Sequence, residues 1–132
     1  FDADRIELQD KQNRVVLSGN VHITQGDLTL DAARTMVAYS QGKELEIQRL
    51  DATGGVVVTR GNESARGAVA VYDFNKRIIT MSGGVSLRRG TDTLNGGRLV
   101  IDLNTGLSSV DGRSGGTGGS GGRVSGTFKV PT

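Results

Sequence analysis

The sequence predicts an all-β fold of stacked strand units around one apolar interior, and three observations predict it. One unit recurs three times, apolar residues within each copy alternate with a period of two, and no stretch sustains a helical period. Gly19-Asn20-Val21-His22-Ile23-Thr24-Gln25-Gly26 aligns without gaps on Gly54-Gly55-Val56-Val57-Val58-Thr59-Arg60-Gly61, and both align on Gly83-Gly84-Val85-Ser86-Leu87-Arg88-Arg89-Gly90. The register persists through Leu30, Ala65 and Leu94, then Arg34, Val69 and Arg98, and on to Tyr39, Phe74 and Leu103. A unit that cannot bury its apolar face alone must stack on its neighbours, so the copies predict a continuous pile of strands with a shared interior.

The elements follow in chain order. Phe1 to Gln9 reads as a strand ahead of the first full unit, because Ala3-Asp4-Arg5-Ile6-Glu7-Leu8 matches Gly96-Gly97-Arg98-Leu99-Val100-Ile101 in type. Each unit then reads as strand, tight turn, strand, turn, strand. Val21 and Ile23, Val56 and Val58, and Val85 and Leu87 mark half-buried strands rich in β-branched residues. Gly19-Asn20 and its counterparts suit the start of a turn, and Gly26, Gly61 and Gly90 suit short turns that need positive φ. Leu28 and Leu30 alternate with polar neighbours, and the strands that follow share one phase in Thr35-Val37-Tyr39, Ala70-Tyr72-Phe74 and Leu99-Ile101-Leu103. Further turns are expected at Asp10-Lys11-Gln12-Asn13, Ser40-Gln41-Gly42-Lys43, Asn75-Lys76 and Asn104-Thr105-Gly106. Ser109-Val110-Asp111-Gly112 repeats the approach to a fourth unit, but no Gly-x-Val strand follows directly. Seven of the 21 glycines fall between Gly112 and Gly122, a flexible linker at 112–122, and Arg123 to Val130 reads as a terminal edge strand stopped by Pro131. Two open edges are therefore expected, one at Arg5, Ile6, Glu7 and Leu8 and the other at Val124, Ser125, Thr127 and Phe128.

Bulk properties bound the function. The 132 residues suffice for a single domain over 1–132 with a core of its own. A net charge of +2 and 4% aromatic content supply neither the field nor the stacking surfaces of a nucleic-acid binder. No apolar run approaches the roughly 18 residues of a membrane helix, and the mean hydropathy is −0.27. Without cysteine there is no disulfide, thiol nucleophile or thiolate metal site, so export is permitted without being indicated. The chain opens at Phe1-Asp2-Ala3-Asp4 in sequence of mid-domain character, compatible with a removed leader.

The residues that carry chemistry elsewhere lack their usual company here. Gly116 to Gly121 satisfies a literal G-x-G-x-x-G, but no helix follows to receive a phosphate. His22 is the single histidine and alternates away from Val21 and Ile23, which places it on a solvated face. No spacing typical of a metal site is present, and Asp27, Asp31 and Asp92 could act as a hydrolytic pair only if distant strands brought them together. No enzyme and no cofactor are expected. Arg60 and Arg89 precede equivalent turn glycines, with Arg88 adjacent, and stacking would gather them at one end of the interior as a possible phosphate contact.

The phrase Leu17-Ser18-Gly19-Asn20-Val21-His22-Ile23-Thr24-Gln25-Gly26 resembles the L-x-G-N-V-x-V-T-Q-G phrase of the OstA-like family of lipopolysaccharide-transport proteins. Arg123-Val124-Ser125-Gly126-Thr127-Phe128-Lys129-Val130-Pro131 is similar to that family's closing strand, and the resemblance spans Asp4 to Pro131. Gly55 and Gly84 stand where the phrase has Asn, and the tract from Ser114 to Gly122 is longer than the family usually carries. The resemblance implies a slightly opened β-jellyroll with an apolar interior groove, a periplasmic location and carriage of lipopolysaccharide without chemistry. On the present sequence the groove falls on Leu17, Val21, Ile23, Leu28, Leu30, Val37, Val56, Val58, Tyr72, Phe74, Val85, Leu87, Leu94 and Ile101. It also implies head-to-tail assembly with further copies, with inner-membrane LptC and with outer-membrane LptD. The alternatives are the soluble part of LptC, the amino-terminal domain of LptD, or a structural β-repeat protein that holds no ligand.

Overall fold

Long strands dominate. The computed structural model describes residues 1–42, 44–112 and 125–127. Its strands are β1 (Arg5–Gln9), β2 (Arg14–Gln25), β3 (Leu28–Gln41), β4 (Leu45–Arg60), β5 (Glu63–Asp73), β6 (Ile78–Arg89), β7 (Asp92–Asp102), β8 (Leu107–Asp111) and β9 (Ser125–Thr127). Strands β1 to β8 form one antiparallel meander, each paired with the next, and β9 joins β7. One 3-10 turn at Asp10–Gln12 links β1 to β2 and closes on Asn13 at φ 54°. The two-residue turns begin at Gly26, Gly61 and Gly90, with φ of 60°, 59° and 60°, the positive values such hairpins demand. The first strand starts at Arg5 rather than Phe1, and ahead of it Asp2 forms a separate bridge with His22.

The glycine pairs do not start turns. They lie inside continuous strands and bend them. Gly19 and Asn20 in β2, Gly54 and Gly55 in β4, and Gly83 and Gly84 in β6 all have positive φ, between 50° and 85°. At each pair two residues oppose one on the following strand: Ser18 pairs with Arg34 and Val21 with Ala32, and the same slip separates Thr53 from Val56 and Ser82 from Val85. A bulge of this kind kinks its strand, and three in register fold the sheet into two wings that face one another. The first residue of each pair is also crowded. A β-carbon on Gly54 would stand 2.7 Å from the Ala33 methyl, and one on Gly83 2.5 Å from the Ala68 methyl. Gly55 and Gly84 face open space, which explains why the equivalent position in β2 holds Asn20.

The inner faces of the wings bury Leu17, Val21, Leu50, Val56, Val58, Ile79, Met81, Val85, Leu99 and their neighbours. Thr35 is wholly buried on this face, and among the described residues its hydroxyl has no hydrogen-bond partner. The equivalent sites of the other copies hold Ala70 and Leu99. An unsatisfied buried hydroxyl costs about 1–3 kcal/mol, so Thr35→Val is expected to leave stability unchanged or raise it by about 1 kcal/mol. Equilibrium denaturation in urea checks this, and a clear loss would mean that the hydroxyl is satisfied after all.

The last strands revise the expected C-terminal edge. Arg98 pairs with Asp111 of β8 and Asn95 pairs with Ser125 of β9, where in β6 the same two residues pair with Ser82 and Ser86. Thus β8 and β9 pair with β7 as the two halves of a fourth strand would, and in sequence residues 112–124 stand between them where the other copies have a glycine pair. Most of the Gly/Ser-rich tract, together with Val124 and Phe128, lies outside the described residues.

Candidate functional site

Alternation puts one face of every strand into the space between the wings, so the site is the interior itself. Its middle is filled. Val56, Val58, Val85, Leu87 and Ile101 are buried against one another, and at the Leu28–Val58–Leu87–Ile101 layer only about 10 Å³ remains empty. Toward β1 the wings separate and enclose an apolar cavity of about 300 Å³, at the lower end of volumes that hold small ligands. Leu17, Ile23, Val37 and Phe74 line it, and so do Phe1, Val15, Tyr39, Ile47 and Leu50. A narrow extension of about 30 Å³ runs inward past Leu28, Leu30 and Tyr72. At the β8 end a second hollow of about 240 Å³ mixes Leu87, Leu94 and Leu107 with Arg89, Asp92 and Ser108.

The residues assigned to the groove from sequence therefore share one interior but divide within it. Leu17, Ile23, Leu28, Leu30, Val37, Tyr72 and Phe74 border the open β1 end. Val21, Val56, Val58, Val85 and Ile101 are core, and Leu87 and Leu94 reach the β8 hollow. Ile47 and Leu50 were not legible as lining because they break the period of two. Ala38 pairs with Arg49 and Tyr39 with Ile47, so Gln48 is an extra residue that resets the phase of β4. Gln48 is pinned there: its side chain bonds Ser40 Oγ at 3.0 Å and accepts from Asn75 Nδ2 at 2.8 Å, while its carbonyl accepts from Phe74 N–H at 3.1 Å.

Few polar groups enter this interior. Tyr72 stacks on Phe74 with ring centroids 3.9 Å apart, and its hydroxyl donates to Gln25 Oε1 at 2.9 Å. Burial pushes the Tyr72 phenol up, partly offset by nearby Arg77 and by the Gln25 bond, so the phenol stays protonated at neutral pH and acts as donor. At the other end Arg60 and Arg89 converge on one carboxylate, Glu63, at 3.4 and 3.2 Å. Arg60 also reaches the Gly106 carbonyl, and Ser108 Oγ lies 3.4 Å from Glu63, so this cluster ties the two wings together. Arg88 does not join it. It alternates with buried Leu87 and lies on the outer face, which removes it from the gathered arginines expected there.

His22 lies on the outer face as its phase implied, 2.6 Å from Asp31 through Nδ1. Asp27 and Asp92 sit at the β2–β3 and β6–β7 turns, four ladder steps apart or roughly 19 Å, so these three carboxylates do not form a hydrolytic pair. Among the described residues no group of three or more acidic or histidine side chains could hold a metal ion, and no helix is long and apolar enough to cross a membrane.

An antiparallel sheet bent by glycine corners into two facing wings, unclosed at its edges and apolar between them, is an open β-jellyroll. The sequence model of the family described as LptA/(LptD N-terminal domain) LPS transport protein matches residues 1–107, and the chain belongs to that family. Among solved structures, the fold is similar to LptH from Pseudomonas aeruginosa, the LptA-homologous periplasmic component of the conserved lipopolysaccharide transport device. The TM-score is 0.83 at 18% identity, covering 98% of this chain and 93% of that one. An uncharacterised protein of Rhizobium meliloti (strain 1021), R00383, is 26% identical over 61% of this chain and 47% of its own length. The chain thus spans about half the length of that curated relative.

Proposed function

We propose that this chain works in the periplasm as an LptA-type carrier that shelters lipopolysaccharide acyl chains between its wings and passes them from the inner toward the outer membrane. The observation that carries this reading is the apolar cavity at the β1 end, walled by Leu17, Ile23, Val37, Tyr39, Leu50 and Phe74. Each methylene withdrawn from water contributes about 0.8 kcal/mol, so such a wall holds an acyl chain without directional bonds. Transfer needs similar affinities at successive sites, and apolar contacts supply that more readily than a polar cage. Titration with lipopolysaccharide under native mass spectrometry tests the reading. A saturable complex is expected, and its absence at concentrations well above those of the protein would favour a structural β-repeat instead.

The cavity opens where the sheet ends. Ile6 and Leu8 pair with Leu17 and Val15 and so share their face, and they are 53% and 62% exposed, with Phe1 at 74%. Such an edge, open among the described residues and carrying apolar side chains, is a template for strand addition. In this proposal the edge at Arg5, Ile6, Glu7 and Leu8 receives the terminal strand around Ser125 and Thr127 of a second copy, with Val124 and Phe128 contributing, and related edges dock inner-membrane LptC and outer-membrane LptD. A heterologous contact of this kind extends into rods. Sedimentation should show mass rising with concentration, and Ile6→Lys with Leu8→Lys should hold the protein monomeric, since edge lysines block pairing. Equal association of the parent and the double variant would remove β1 from the interface. The family description supports a second placement, as the amino-terminal domain of LptD, in which the same cavity and edge serve the last step of the path.

A further inference from the structure

The three copies of the repeat differ in charge at one inward-facing position, the residue before the turn glycine, which is Gln25, Arg60 or Arg89. All three stand at the same rim of the interior, but their surroundings diverge. Arg60 lies across from Glu63 and Arg89 across from Asp92, and both arginines bond Glu63. Gln25 lies across from Leu28, so the first copy has exchanged a cation facing an acid for a neutral amide facing an aliphatic side chain. This exchange falls at the copy that borders the open cavity, where Gln25 lines both the 300 Å³ space and its narrow extension. Among the described residues, the other polar side chains around the larger space are the Tyr39 phenol and Thr24, and the phase of Thr24 directs it to the outer face.

The amide of Gln25 is also held. Tyr72 donates to its Oε1 at 2.9 Å, and Tyr72 is itself fixed by its stack on Phe74 and is 5% exposed. With the oxygen taken by a donor, the Nε2 group is left to donate at the mouth of an apolar chamber, and among the described residues no bond engages it. We infer that Gln25 is a specificity-determining residue that donates its Nε2 hydrogens to the carbonyl of an acyl linkage, ester or amide, where the chain leaves the cavity, and that Tyr72 positions it. A neutral donor suits an uncharged carbonyl. A phosphate would be better met by an unpaired cation, and among the described residues no lysine or arginine lines the cavity. The inference rests on the acyl-chain reading of the cavity.

Two soluble probes with the same nine-carbon alkyl tail separate these claims: N-decanoyl-N-methylglucamine, whose tail ends in an amide carbonyl, and nonyl glucoside, whose tail ends in a glycosidic oxygen. Both are titrated below their micellar concentrations by calorimetry. The parent is expected to prefer the amide probe by roughly three- to tenfold, the worth of one hydrogen bond in a part-exposed site. In Gln25→Leu and in the shape-conserving Gln25→Glu that ratio should fall to about one, and in Tyr72→Phe it should fall partway, a change that a merely structural role would not produce in a ratio. A parent that does not discriminate, or a Gln25→Leu variant that keeps the preference or loses both probes alike, overturns the inference and leaves the cavity assignment standing. A parent that binds neither probe overturns both.

Discussion

Ile23→Asp is expected to lower lipopolysaccharide affinity by about 100-fold while the protein stays folded. Ile23, like Leu50 and Phe74, lines both the open cavity and its inner extension, and it is half-buried and packed against the core without belonging to its closed middle. A carboxylate there must either remain hydrated, which places water where an acyl chain should lie, or be buried at a cost of several kcal/mol. A loss of about 2.7 kcal/mol already corresponds to 100-fold. The better-buried Val58 and Leu87 are poorer choices, because aspartate at those sites would test folding before binding. The matched control is Ser86→Asp on the outer face, whose register partners are Arg66 and Asn95, and it should bind as the parent does. Circular dichroism accompanies both. Unchanged affinity in a folded Ile23→Asp variant would place the lipid outside this cavity.

Gly83→Val should be the most destabilising single change at the surface of the fold. It combines a left-handed φ of 85° with a β-carbon 2.5 Å from the Ala68 methyl. The conformational part costs about 1–2 kcal/mol and the overpacking about 1–3 kcal/mol, so a loss of about 3 kcal/mol is expected. For a chain of this size that is a fall in Tm of roughly 10 °C. The neighbouring Gly84→Asn should cost under about 1 kcal/mol, since φ is 65°, no atom lies within 4 Å, and Asn20 already occupies the equivalent site at φ 50°. Combining Gly83→Ala with Ala68→Gly should recover part of what Gly83→Ala loses, because the two methyls compete for one space. Equal thermal stability of Gly83→Val and the parent would mean that the strand does not bend at this corner.

These two sites mark what the sequence carries and what it does not. Alternation in Val21-His22-Ile23 and its copies is a local property of a strand with one buried face, so the inward residues and the outward His22 can be read from spacing. The hairpin glycines are legible for a similar reason, since a two-residue turn demands positive φ wherever it occurs. Gly54-Gly55 and Gly83-Gly84 carry the same local signal, and the sequence does not say whether positive φ serves a turn or a bend. Only the strand on either side decides, through contacts of Gly54 with Ala33 and Gly83 with Ala68 that join residues in different copies. The open end of the interior was hidden by the same kind of non-local event. The Gln48 bulge shifts Ile47 out of phase with Leu50, so the wall of the cavity is continuous in space and broken in sequence. The fourth strand was hidden because residues 112–124 part its two halves in sequence, although Ser125 takes the ladder place of Ser86.

Photo-crosslinking from positions on β2, β3, β4 and β6 locates the bound lipid. A photoreactive residue is placed one position at a time at Ile23, Val37 and Ile47 inside the cavity, at Val85 in the closed core, and at Thr59 and Ser86 on the outer face, and each variant is irradiated with lipopolysaccharide. Adducts are expected at Ile23, Val37 and Ile47 and none at Thr59 or Ser86. Adducts of equal yield on both faces, or on the outer face alone, would contradict lipid binding between the wings.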